Sequence, residues 1–375
     1  MSKNRDKEKI LVAISGGVDS AVSAMLLQQE GHEVEAVYVR TWEHEDDLLG
    51  DCPGAKDLKD AEEVSAQLKI PFRVVNYSEF YRQEVVQPMV EGYADGITPN
   101  PDILCNKQMK FGALMKYAKE ENFDALATGH YCIQKINRSN QAELWEGRDK
   151  NKDQSYFLAR LTHEQIRYAR FPIGKFEKKE IRALAKKANL PVADKKDSQG
   201  ICFLGKVKVP DFLSHFIQEN PGDIVNQSGV KLGTHLGLHR YTLGQRRGIG
   251  VPSNTDNQNY VVTGKDESLN HLIVAFDRPE ENTLWSNRFG LNDVSFIQDE
   301  FKTLDEIQLL GKARYRDPST PVHLNRNQDG LWFVEFDSPQ RALTPGQILA
   351  FYDGEQLVGS GIYSRSKLGR AALST

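Results

Sequence analysis

The sequence predicts an α/β doubly wound parallel sheet at the N-terminus, then a small β-rich central domain and a C-terminal all-β barrel. Three observations carry that prediction. Over the first 130 residues, short apolar runs alternate with segments of helical period, the βαβ signature of a parallel sheet. Near residue 220 glycines multiply and the runs shorten ("PGDIVNQSGVKLGTHLGLHRYTLGQRRGIGVP"). Beyond about 280, runs of five to eight residues alternate with Asp-Gly, Asn-Gln and Pro turns, as in a small barrel or sandwich. The expected domains are 1–215, 216–280 and 281–375, since 375 residues exceed one ordinary core.

Taken in order, "KILVAIS" (9–15) is a buried first strand and "GGVDSAVSAMLLQQEG" (16–31) a helix stopped by Gly31. "EVEAVYVRTW" (33–42) is the second strand, "AKDLKDAEEVSAQLKI" (55–70) a helix with a charged face, and "PFRVVNYS" (71–78) the third strand. "SEFYRQEVVQPMVEGYADG" (78–96) is a helix that Pro88 kinks or breaks. "QMKFGALMKYAKEENF" (108–123) has apolar residues at helical spacing, and "DALATGHY" (124–131) is another strand. From 140 to 205 the pattern loosens; in "KKEIRALAKK" (178–187) the basic residues read as a solvated face opposite Ile181, Leu184 and Ala185. Ligands of a doubly wound sheet sit at the carboxyl ends of its strands.

An apolar content of 39% with 27% charged residues describes a soluble globular chain. The early apolar run "ILVAI" is too short for a signal segment or a membrane span. Four widely spaced cysteines (Cys52, Cys105, Cys132, Cys202) do not resemble a secreted disulfide framework, so the expected compartment is the cytoplasm, with no membrane partner. No C-x-x-C spacing occurs, and no metal site is expected. A net charge of −4 does not announce nucleic acid, which would have to be met by local clusters such as "RYTLGQRRG" (240–248) or Arg314 and Tyr315 in "KARYRD".

Two motifs carry chemistry. "AISGGVDSAV" follows a strand and opens a helix, so the N–H groups of Ser15, Gly16 and Gly17, with the helix N-terminus, would hold a phosphate or pyrophosphate. The Ser20 hydroxyl would add a donor. Asp19 repels an anion unless it caps the helix or meets a metal. With no Gly-Lys-Ser/Thr following, the loop is not a Walker motif. In "TPNPDILCNKQMKF" (98–111) the X-Pro bonds favour a rigid extended loop, which would put Cys105 near a helix start, where the dipole favours a thiolate. Asp102 either takes a proton there or caps the helix. By composition alone Cys202, between Ile201 and Phe203, reads as core, and Cys52 and Cys132 read as structural.

"SGGVDS" resembles the PP-loop of the ATP pyrophosphatases, which split ATP into AMP and pyrophosphate. Joined in order by "TPNPDILCNKQMKF", "ATGHY", "KDQSYFL" and "DSQGICF", it resembles one family over almost the whole chain, the tRNA-specific 2-thiouridylases. The resemblance implies a PP-loop, adenine nucleotide alpha hydrolase-like fold. It also implies thiolation of the C2 carbonyl of the wobble uridine in tRNA, using ATP with Mg2+ and sulfur from a persulfide donor protein. On that basis Ala13, Ile14, Ser15, Gly16, Gly17, Val18, Asp19 and Ser20 bind ATP. Val39 and Gly129 also touch the nucleotide; family members often carry Met where Val39 stands. Asn100, Pro101 and Asp102 match the segment that meets the target base, and Lys152, Asp153, Gln154, Arg314 and Tyr315 match tRNA contacts. Cys202 would carry the persulfide, Cys105 would be the nucleophile that ends disulfide-bonded to it, and Asp102 a general acid/base. A small-molecule ligase of the argininosuccinate or GMP synthetase kind shares the PP-loop but has no use for Cys105 and Cys202. A non-catalytic RNA- or nucleotide-binding module leaves the Asp102–Cys105 pair without a task.

Overall fold

Five parallel strands form the first sheet of the computed structural model, which describes residues 7–42, 53–197, 207–252, 258–278 and 283–365. Cys52 and Cys202 lie outside these residues. The strands are β1 (Lys9–Ala13), β2 (Glu33–Arg40), β3 (Phe72–Asn76), β4 (Ala125–Ala127) and β7 (Ala169–Arg170), in the order β3-β2-β1-β4-β7. β1 pairs with β2 on one side and β4 on the other, so the winding reverses there and leaves a crevice beyond the carboxyl ends of β1 and β4.

Side chains of period two face opposite ways along each strand. Ile10 and Val12 of β1 pack with α1 (Val18–Gln29), α2 (Pro53–Leu68) and α8 (Lys178–Lys187) on one side. Leu11 and Leu126 pack with Phe111 and Leu114 on the other. Burying such large aliphatic and aromatic side chains is worth roughly 1.5–3 kcal/mol each.

The expected break near Pro88 takes a particular form. α3 (Ser78–Tyr81) passes into a π-helical turn (Arg82–Val86) and then α4 (Gln87–Ala94). Pro88 has no N–H to offer the carbonyl of Glu84, and the ladder widens just before it. The helix expected at 108 begins instead at Pro101. α5 (Pro101–Leu104) continues through a π-helical stretch (Cys105–Leu114) into α6 (Met115–Glu120). Asn100 caps it, its side-chain oxygen accepting the Ile103 N–H at 3.2 Å, and Pro101 fills the first helical position, where no N–H is required.

A hairpin of β5 (Cys132–Ile136) and β6 (Ala142–Glu146) occupies part of the segment read as loose. Beyond α7 (His163–Tyr168), α8 and α9 (Val209–Leu213), the central unit has β8 (Gly222–Asn226), β9 (Lys231–His235), β10 (Tyr260–Asp266) and β11 (His271–Phe276), in the order β10-β11-β8-β9. The C-terminal strands are β12 (Trp285–Phe296), β13 (Glu306–Lys312), β14 (Thr320–Arg326), β15 (Trp332–Arg341), β16 (Ile348–Asp353) and β17 (Gln356–Tyr363). They run β12-β15-β14-β13-β16-β17 and close through β12–β17 into a six-stranded barrel, which leaves no open edge in the ring.

The barrel is fused to the first unit. β6 pairs with β17, matching Leu144 to Leu357. Leu144 and Leu158 share one core with Ala350, Tyr352 and Leu357. Tyr156 donates its hydroxyl to the Ile348 carbonyl at 2.8 Å, and the buried Arg160 guanidinium donates to the Asp293 carbonyl at 2.6 Å.

Candidate nucleotide and thiol site

The β1–α1 loop has little conformational choice. Gly16 adopts a φ of +69°, the left-handed region glycine tolerates, and a Cβ there would lie 2.3 Å from the backbone oxygen of Asp57. Gly17 is the extended N-cap of α1 and makes no side-chain cap, so the first-turn N–H groups of α1 have no partner within the helix. Part of the expected donor set is used internally. The Ser15 N–H goes to Ser20 Oγ at 3.2 Å, and the Ser20 hydroxyl donates to the Gly17 carbonyl at 3.1 Å. Ser20 therefore braces the loop.

Asp19 is not the helix cap. Tyr131 donates its hydroxyl to Asp19 Oδ1 at 2.7 Å, and Lys178 Nζ lies 2.8 Å from each carboxylate oxygen. Burial and then the Asp19 charge push the Tyr131 hydroxyl far above its ordinary value, so it remains a donor. Lys178 also reaches Asp197 Oδ1 at 2.8 Å. Asp197 further accepts from Lys152 at 2.8 Å and Arg182 at 2.7 Å. Burial would raise the Asp197 carboxyl, but hydrogen bonds and charges from Lys152 and Lys178 hold it at about 2.

Helix α8 is thus no simple solvated face. Lys178, Ile181, Arg182 and Ala185 recur at i, i+3, i+4 and i+7, one stripe, and the two basic residues turn inward with the apolar ones. Lys179 and Lys186 do stay exposed. The turn after β4 presses on the loop, since a Cβ on Gly129 would lie 2.7 Å from Ser20 N. Beside it, burial drives His130 well below the usual imidazole value; its Nδ1 is 2.7 Å from Thr128 Oγ1, and it is a neutral core residue. Val39, one residue before the end of β2, is half-buried between two core clusters.

With this cradle described, likeness to known proteins takes on meaning. Family models described as tRNA methyl transferase HUP domain, tRNA methyl transferase PRC-barrel domain and Aminomethyltransferase beta-barrel domain match residues 8–206, 210–276 and 286–363. The tRNA-specific 2-thiouridylase MnmA of Akkermansia muciniphila is 43% identical over 357 residues, 95% of this chain and 98% of the relative. That of Ligilactobacillus salivarius is 40% identical over 372 residues, 98% and 99% of the two chains. The chain belongs to the tRNA-specific 2-thiouridylase family.

In this 2-thiouridylase family member, Cys105 is the fifth residue of its helix and only 3% exposed. It lies in an apolar wall with Tyr81, Val85, Met89, Met109 and Phe212. A helix dipole fades within the first turn, so it acts on Asp102, half-buried in that turn, more than on the thiol. The "TPNP" segment is buttressed by the barrel, with Thr98 N–H donating to the Pro345 carbonyl at 2.8 Å.

The other expected RNA contacts are held by the protein to differing degrees. Lys152 pairs with Asp197. Asp153 is largely buried at the wall of a cleft and accepts from the Gly147 N–H at 2.9 Å, the Ser155 hydroxyl at 2.9 Å and Lys312 at 3.1 Å, so its carboxylate is tied to the protein. Gln154 locks onto Tyr131, accepting its N–H at 3.0 Å and donating its own to the Tyr131 carbonyl at 2.9 Å. Arg314 donates to the Arg341 and Ala342 carbonyls, both at 2.7 Å. Tyr315 packs 4.3 Å from the Phe157 ring and lines a cleft of about 420 Å3 with Lys150, Asn151, Asp153, Lys312, Arg316 and Asp317.

The thiol helix and the cradle are linked. Asn106 Nδ2 donates to the Phe157 carbonyl at 3.1 Å, three residues past Gln154, whose partner Tyr131 holds Asp19. Sequence reading missed Tyr131, Lys178, Lys195 and Asp197. The stripe spacing of α8 was the available signal for Lys178. Among the described residues, no three metal-ligating side chains cluster.

Proposed function

We propose that the protein is an ATP-dependent tRNA 2-thiouridylase. The observation that carries the reading is Lys178, which joins Asp19 at the mouth of a glycine-built anion cradle to Asp197, five residues before Cys202. The nucleotide loop and the segment leading to the second thiol thus share one charged anchor.

In this reading Ala13–Ser20, with Val39 and Gly129, hold ATP. The uridine O2 attacks the α-phosphorus, pyrophosphate leaves, and C2 then carries an AMP leaving group. Sulfur reaches C2 either by attack of the terminal sulfur of a Cys202 persulfide, whose S–S bond the Cys105 thiolate then breaks, or as hydrosulfide freed when that thiolate attacks the Cys202 sulfur first; both routes leave a Cys105–Cys202 disulfide. AMP departs with the oxygen, and a thiol reductant restores the pair. Asp102 exchanges the proton at the base, and Asn100 and Pro101 shape the pocket for it. Lys152, Arg314 and Tyr315 meet the RNA, while Asp153 and Gln154 position that surface from within. Mg2+ would arrive on the ATP phosphates, with Asp19 offering a carboxylate; Mg2+ commonly uses one or two carboxylates plus phosphates. A protein persulfide donor and a cytoplasmic setting complete the proposal.

A small-molecule ligase would leave Cys105 and the barrel-buttressed "TPNP" segment unexplained. Mass spectrometry of nucleosides from unmodified tRNA, incubated with protein, ATP and a persulfide source, tests the reading. One 2-thiouridine per pyrophosphate is expected. A methylated or unchanged uridine would refute it.

A further inference from the structure

Lys195 is outside every role given so far, yet its ammonium reaches into the back of the cradle. Lys195 Nζ lies 2.8 Å from the Gly16 carbonyl and 2.7 Å from Asp57 Oδ1, and it also contacts Asp60. An ammonium has three N–H donors, and here each has an acceptor. Lys195 therefore has no donor to spare for a phosphate.

What it does to the loop follows from peptide geometry. In a planar trans peptide the carbonyl of one residue and the N–H of the next point in opposite directions. Drawing the Gly16 carbonyl out to Lys195 turns the Gly17 N–H away from Lys195, at the N-cap where the first turn of α1 has donors with no partner within the helix. Charge adds to the effect. The start of α2 packs so closely on Gly16 that Asp57 and Asp60 stand behind the anion site. Uncompensated, two carboxylates there would oppose a polyphosphate. The lysine is aimed by a braced backbone: Arg182 donates to the Ala193 carbonyl at 3.3 Å and the Lys195 carbonyl at 3.0 Å.

We infer that Lys195 is a positioning residue of the nucleotide cradle, fixing the Gly16–Gly17 peptide with its N–H toward the ligand and cancelling the charge of Asp57 and Asp60. The inference rests on the reading of Ala13–Ser20 as the ATP site. A purely structural ion pair would shift stability without singling out one ligand.

Calorimetric titration of the full chain separates these. Lys195→Met should weaken both ATP and inorganic pyrophosphate by on the order of tenfold or more, the scale of a lost hydrogen bond to a charged group. tRNA affinity should stay at the wild-type value, and the effect should fall on KM for ATP with kcat within a few-fold. Lys195→Arg should recover most of the affinity. Asp57→Asn with Asp60→Asn, in the Lys195→Met background, should recover part. Wild-type ATP and pyrophosphate affinity in Lys195→Met would overturn the inference. So would parallel losses of ATP and tRNA affinity with no recovery in either rescue variant. Failure of the wild-type chain to bind ATP would instead overturn the reading of the cradle.

Discussion

Gly129→Ala probes the cradle with one methyl group. The added Cβ would lie 2.7 Å from Ser20 N and 2.9 Å from the Asp19 carbonyl carbon. Ordinary carbon contacts begin near 3.5 Å, so the shortfall is about 0.6–0.8 Å. Both atoms are backbone in the first turn of α1, and neither can rotate away. Overpacking of this kind costs about 1–3 kcal/mol. Gly129 has no left-handed φ, so alanine returns roughly 0.4–1 kcal/mol by restricting the unfolded chain. A net loss of up to about 2.6 kcal/mol remains, or as much as roughly 10 °C in the melting midpoint of a unit of some 200 residues. Because the displaced atoms carry the cradle's donors, KM for ATP should rise as well. Thermal unfolding with steady-state pyrophosphate release measures both. A variant with wild-type midpoint and wild-type KM would refute the close approach of the two loops.

Other outcomes follow from the same residues. Lys178→Met leaves Asp19 and Asp197 without their shared cation, and ATP affinity should fall on the order of tenfold, about 1.4 kcal/mol, with Lys178→Arg recovering much of it; titration with ATP would show it. Cys132 is fully buried and its thiol is pushed well above the ordinary value by that burial and then by Asp153, so a maleimide reagent should not label it in the native chain, as mass spectrometry of digests would reveal. His130, held far below the ordinary imidazole range, favours the fold while neutral; stability should fall as pH drops below the unfolded-state value of 6.5, where the unfolded chain takes up a proton that the folded one refuses. Asp197, depressed to about 2, adds stability above the unfolded value of 3.8 that is lost between there and about 2. Denaturant midpoints across pH 2–8 would trace both losses, and Asp197→Asn should remove the lower one.

Much of this was legible because it is local. β1, α1 and β2 follow from alternating apolar runs and a glycine stop, and the loop between β1 and α1 was visible in "SGGVDS". What stayed hidden depends on distant partners. The β5–β6 hairpin borrows an edge of the barrel, and its sequence does not announce β17 as a neighbour. Asp153 stands in a charged run of sequence, and nothing local announces Lys312, 159 residues on, as its partner. Pro101 reads as a breaker after Asn100, although that pair is equally a cap and a first helical residue; the choice rests on where residue 98 docks on the barrel. Cys202, the second thiol of the proposed relay, lies outside the described residues, and its assignment rests on the family resemblance.

Cys105→Ser, assayed in a single turnover with ATP, unmodified tRNA and a persulfide source, separates activation of the base from sulfur delivery. If the buried thiol serves the second step beside the nucleotide cradle, pyrophosphate is released at close to the wild-type rate while no 2-thiouridine forms. Thiolated product at the wild-type rate would contradict that role for Cys105.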